Sequence, residues 1–129
     1  MPKRFERREV TVLSTDMVGY SRMMAHDPDA TVEARRYCEQ TMREIAAAQN
    51  GRIFAYAGDG FLLEFGSETD AIAASLDVQA TMRVHNKDVG PEQQVWLRAG
   101  IHNGVAIVED ENLHGDVVNI AVRLQESAP

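Results

Sequence analysis

The sequence predicts an α+β domain, one β-sheet with helices packed against it. Apolar runs of strand-forming residues alternate with stretches whose apolar residues recur at three- and four-residue steps. Capping residues and glycine-containing turns fall where each of these elements should end. The chain has 129 residues and is 44% hydrophobic. That is enough for one domain with its own core, and it is not the composition of a disordered segment.

Residues 1–8, Met1-Pro2-Lys3-Arg4-Phe5-Glu6-Arg7-Arg8, form a basic lead-in that lacks the apolar centre of a signal peptide. The folded domain is then 9–129, with a first strand over about 9–15 and a helical turn over Met17–His26. Asp27-Pro28 starts the next helix, with Asp27 as cap and Pro28 in the first position. Its packing face is Ala30, Ala34, Tyr37, Cys38, Thr41, Ile45 and Ala48, and Asn50-Gly51 ends it. Arg52–Ala57 and Phe61–Phe65 flank Gly58-Asp59-Gly60 as a hairpin. Ser67-Glu68-Thr69-Asp70 caps a helix to about Asn86, with Ala71, Ser75, Val78 and Met82 inward. Asn103-Gly104 is a strong hairpin signal, so 95–102 and 105–108 are expected to pair around it. A last helix spans Gly115–Glu126. The order β-α-α-β-β-α-β-β-α suggests a ferredoxin-like βαββαβ-type sheet with the helices on one face.

Charge and composition narrow the function. Thirteen Lys and Arg against twenty Asp and Glu leave a net charge of −7 and a pI near 5.0. That balance argues against nonspecific binding to nucleic acid or to anionic membranes. No apolar run approaches the roughly 20 residues that span a bilayer. A single cysteine, Cys38, cannot form an internal disulfide and fits a reducing cytoplasm. His26, His85, His102 and His114 lack paired zinc-ligand spacing.

Asp16 ends the buried first strand, just before a turn containing Gly19. A charge there needs a partner. One possibility is a divalent cation, with the backbone of Met17, Val18, Gly19 and Tyr20 cradling phosphate. The other is a plain helix cap. Asp59 is either an ordinary turn residue or a second carboxylate at the same sheet edge. Two such oxygen ligands suit Mg²⁺ or Mn²⁺ rather than zinc, and Mg²⁺ commonly joins carboxylates to substrate phosphates. Asn119 and Arg123, four residues apart, share a helix face that is either a solvated stripe or a ribose- and phosphate-facing pair.

Together these segments resemble the catalytic domain of class III nucleotidyl cyclases, the adenylate and guanylate cyclase family. The matching pieces are Thr15-Asp16-Met17-Val18-Gly19-Tyr20-Ser21, Gly58-Asp59-Gly60, and His114-Gly115-Asp116-Val117-Val118-Asn119-Ile120-Ala121-Val122-Arg123. The resemblance spans about residues 9–126. It implies two metal ions on Asp16 and Asp59, triphosphate held by the backbone of Met17 to Tyr20, ribose oriented by Asn119, and the transition state steadied by Arg123. It also implies a head-to-tail homodimer that shares each site, and ATP or GTP as substrate.

Two departures stand out. The position where adenylate cyclases carry a base-reading lysine is Ala55, and its base-facing partner is Asn112, whose amide can pair with either purine. The family's triphosphate lysine lies beyond Pro129, so the chain is expected to be C-terminally incomplete.

Overall fold

Strand β1 (Glu6–Met17) is the axis of the sheet, because both of its faces are covered. Val10 and Val12 pack with Ala106, Leu113, Val117 and Ala121. Leu13 and Met17 point the other way, into Cys38, Met42, Phe61, Leu63, Val78 and Met82. Double coverage explains why residues 10–15 are all buried, where a half-exposed strand would alternate. The structure, a computed structural model, describes residues 5–128, with backbone alone at Ala57. The strand starts at Glu6, inside the expected lead-in, and Met1–Arg4 lie outside the described residues.

Helix α1 (Tyr20–His26) leads into α2 (Pro28–Ala48). Asp27 caps α2 as expected, its carboxylate accepting from Ala30 N at 3.1 Å. The hairpin β2 (Gly51–Ala57) and β3 (Gly60–Phe65) follows, then α3 (Glu68–Lys87), capped by Ser67. A 3-10 turn at Pro91–Gln93 precedes β4 (Leu97–Glu109), β5 (Asn112–His114) and α4 (Asp116–Glu126). Sheet order is β2-β3-β1-β4-β5, antiparallel throughout. The α+β class and the ferredoxin-like arrangement hold.

Four expectations need correction. Asn103-Gly104 makes no turn, because β4 runs straight through it and pairs with β1 from Leu97↔Met17 to Val108↔Glu6. Asn103 Nδ2 instead donates to Thr11 Oγ1 at 2.8 Å, and the chain reverses at Asp110, whose φ is 55°. The helices do not share one face: α1 to α3 cover the Leu13 side, while α4 covers the Val12 side. The first helix begins at Tyr20 rather than Met17, since β1 continues to Met17. On α2, Thr31, Met42 and Ala46 are buried while Tyr37 and Ala48 are exposed, and on α3 Ala74 is buried more deeply than Ser75.

The sheet curls until its outer strands meet. A bulge between Ile53 and Ala55 bends β2, Phe54 joins the cluster around Leu113, and Arg52 Nη2 donates to Glu111 O at 2.6 Å. No helix among the described residues is long and apolar enough to cross a membrane.

Candidate active site

The two aspartates are brought together by strand register. Asp16 is the penultimate residue of β1, and the last β1–β3 pair is Thr15↔Phe61. Carried one residue outward, this antiparallel register sets Asp16 beside Gly60, which directly follows Asp59. Gly58, at φ 61°, makes the turn that carries Asp59, and both aspartates are half-buried.

Across the sheet, Asp16 pairs with Arg98 of β4. Arg98 donates from Nε to Oδ1 at 3.2 Å and from Nη2 to Oδ2 at 2.9 Å, a bidentate clasp. It also donates from Nη1 to Glu126 O at 3.4 Å, which ties the clasp to the end of α4. The Asp16 hydrogen bonds and then its charge hold the Arg98 guanidinium above its usual range. Desolvation opposes this weakly, and Asp59 and Glu126 add smaller pulls. The strand register thus sets the backbone that carries Asp59 next to the Asp16–Arg98 pair.

Asp16 is not a helix cap. The N-cap of α1 is Gly19 at φ 70°, with no side-chain cap. Of the four residues expected to cradle phosphate, Met17 is the last ladder residue and Val18 N already donates to Trp96 O at 2.7 Å. The amides of Gly19 and Tyr20, at the helix start, have no backbone acceptor among the described residues.

Asn119 and Arg123 sit elsewhere. Val117, Ala121 and Gln125 of α4 face the sheet. Two residues advance a helix by about 200°, so positions 119 and 123 lie nearly opposite that stripe, and both are exposed. Their side chains have no hydrogen bond or ion pair among the described residues. Close approach fixes the helix: a Cβ on Gly100 would lie 2.3 Å from Gln125 N and 2.5 Å from Ala121 O. Within one chain, therefore, the amide and guanidinium of α4 do not converge on Asp16 and Asp59.

Ala55 lies beside the β2 bulge, paired with Leu62. Asn112 opens β5 and is exposed, and its Oδ1 accepts from Leu113 N at 2.9 Å, leaving Nδ2 as the outward donor. Arg98 was missed from the sequence. Its role depends on β1–β4 register, which a turn expected at Asn103-Gly104 concealed.

The residues present fit a divalent cation. No three His, Cys, Asp or Glu side chains gather as a metal cluster among the described residues. The site offers instead two carboxylates at one edge, and Asp16 already embraces a cation in the form of the Arg98 guanidinium. That donor set suits an ion whose remaining ligands come from water and substrate phosphate.

With this geometry in view, the class is an α+β domain with a five-stranded antiparallel sheet that carries two carboxylates at one edge. Residues 3–129 match the adenylate and guanylate cyclase catalytic domain, and the chain belongs to that family. It is 36% identical over 125 residues to "Putative adenylate cyclase 3" of Rhizobium meliloti (strain 1021), covering 95% of this chain and 21% of that protein. It is 29% identical over 124 residues to "Uncharacterized protein Rv1359" of Mycobacterium tuberculosis (strain ATCC 25618 / H37Rv), covering 95% of this chain and 46% of that protein. The chain thus spans less than half the length of these curated relatives. A crystal structure of an adenylate/guanylate cyclase/hydrolase from Silicibacter pomeroyi superposes with a TM-score of 0.79 at 31% identity, over 96% of this chain and 72% of that one. The adenylyl cyclase CyaB from P. aeruginosa, at 21% identity, shares the fold with a TM-score of 0.81 over 98% of this chain and 76% of that one.

Proposed function

We propose that two copies of this chain, paired head to tail, cyclise a nucleoside triphosphate to a 3′,5′-cyclic nucleotide and pyrophosphate for signalling in the cytoplasm. One observation carries the reading. Asp16 and Asp59 share a sheet edge, while Asn119 and Arg123 face away from it on α4, exposed and without partners among the described residues. A second chain is the natural source of the missing half at each edge.

Asp16 and Asp59 would hold two divalent ions, Mg²⁺ or Mn²⁺, whose charge acidifies the ribose 3′-hydroxyl and neutralises the phosphates. The bond from the 3′ oxygen to the α-phosphorus forms as the α–β phosphoanhydride bond breaks, and the hydroxyl proton is lost. Asn119 orients the ribose through its carboxamide, and Arg123 meets charge that grows on the α-phosphoryl group. The free amides of Gly19 and Tyr20 face the polyphosphate. With ions on Asp16, Arg98 would be available to the same anion from the neighbouring position on β4. ATP is the first candidate, on the name borne by the R. meliloti relative. Ala55 offers no donor to a base and Asn112 one outward amide, which supports weak discrimination between purines.

A second reading, a nucleotide-binding and dimerisation module without turnover, is favoured by Ala55 and by the Arg98 clasp on Asp16. Purified protein with Mn²⁺ and ATP or GTP separates the two. Cyclic nucleotide and pyrophosphate are expected products. A folded dimer that binds triphosphate but yields neither product would leave the second reading standing.

A further inference from the structure

Helices α2 and α3 are neighbours of nearly equal length, yet their outer faces differ. That of α2 is laced with charge: Glu39 takes Arg35 at 3.5 Å and Arg43 at 3.0 Å, and Gln40 donates to Glu44 at 3.2 Å. Pairs of this spacing suit a helix face that lies in water. On α3 no residue makes an ion pair among the described residues, and the outer face is largely apolar. Ile72, Leu76, Ala80 and Val84 follow one another at four-residue steps, all exposed. Leu76 at 64% and Val84 at 62% are more exposed than any other large apolar side chain among the described residues. Ala71, Ala74, Val78 and Met82 are buried on the opposite side. The helix is thus apolar on two faces, and the core covers only one of them.

The outer ridge, about 18 Å long, is complementary to itself. Its large residues Ile72, Leu76 and Val84 leave one notch, at Ala80. When two copies of α3 lie antiparallel about a two-fold axis at the level of Val78, Leu76 of each copy fills the notch at Ala80 of the other. Ile72 then meets Val84. Charge selects the same orientation. Glu68 and Asp70 occupy the first turn of α3, Lys87 the last, and Arg83 lies one turn earlier. Antiparallel packing lays each acidic start beside the other copy's basic end and opposes the helix dipoles, whereas parallel packing stacks like on like. The C-cap Asp88 is the one acid at the basic end.

We propose that the outer face of α3 is a contact between two copies of this chain, antiparallel and two-fold symmetric. It is separate from the head-to-tail pairing proposed above, because α3 and α4 lie on opposite sides of the sheet. A ridge this short makes a weak contact, so chains gather through it as their concentration rises.

Sedimentation velocity over a concentration series tests this. Wild type should grow beyond the size reached by Leu76→Glu, whose association through this face should weaken about tenfold or more. Leu76→Glu places charge at a position already exposed, so its urea unfolding should match that of wild type. Lys87→Glu should also weaken association, and adding Glu68→Lys to it should restore it. Orientation is read by oxidation: Leu76→Cys mixed with Ala80→Cys should cross-link, and Leu76→Cys alone should not. Cys38 is buried and does not compete. Cross-linking of Leu76→Cys alone would overturn the antiparallel pairing. A wild type no larger than Leu76→Glu at every concentration would overturn the contact itself and leave the ridge to a different partner. Neither result touches the cyclase reading, which product formation decides.

Discussion

Two regions of this domain hold the candidate site residues, and they are built in opposite ways. The edge formed by β1, β3 and β4 is complete within one chain: Asp16 is clasped by Arg98, and Asp59 is close by. The outer face of α4 is the reverse, since Asn119 and Arg123 stand exposed and their side chains meet no partner among the described residues. On the proposed reading, a group that works inside its own chain is neutralised there, whereas one that works in a second chain is left bare.

The sharpest way to break this contrast is to separate the halves. Asp59→Ala and Arg123→Ala should each lower cyclase activity about a thousandfold or more. Mixed in equal amounts they should recover roughly a quarter of wild-type activity, because half of the dimers are mixed and each of those keeps one intact site. Mixed dimers that form yet stay inactive would remove the shared site.

Next in size is the seat of α4. Gly100→Ala places a methyl group against the backbone of Gln125 and Ala121. It should cost about 3 kcal/mol in urea unfolding. Asn119→Ala should change stability by less than about 0.5 kcal/mol, while lowering kcat about a hundredfold. An Asn119→Ala variant that unfolds easily would mean that the outer face of α4 is structural after all.

Arg98 tests the other region. Arg98→Gln removes the cation that competes for Asp16, so Mn²⁺ binding followed by electron paramagnetic resonance should tighten severalfold. Unchanged affinity would show that the clasp does not occupy the ion's place.

The smallest effect concerns the core that holds both regions. Burial pushes the Cys38 thiol up to about 12 from 9.0, with Arg35 lowering it and Glu39 raising it slightly. A raised folded value means that stability from keeping the thiol neutral is whole below pH 9.0 and is lost as pH climbs towards about 12. Iodoacetamide at pH 8 should leave native Cys38 unlabelled and alkylate it in urea.

Local chemistry was legible in the residues themselves. The caps at Asp27 and Ser67, the Gly58-Asp59 turn and the succession of elements as far as α3 need only neighbours along the chain, and all appear as expected. The motifs around Asp16, Asp59 and Asn119 were equally plain, because they are contiguous. Asn103-Gly104 shows where this stops. Its turn propensity is real, yet pairing along the whole length of β1 and the close fit of Gly104 under Val117 override it.

Residue types and spacing therefore determined which elements form and which side chains are available for chemistry. Only the tertiary structure decided that Asp16 faces Arg98 and that α4 crosses to the other side of the sheet. The reason is physical: caps and turns are settled by interactions a few residues apart. Strand register and helix placement depend on partners up to about a hundred residues away, where a shift of one position turns every side chain to the opposite face.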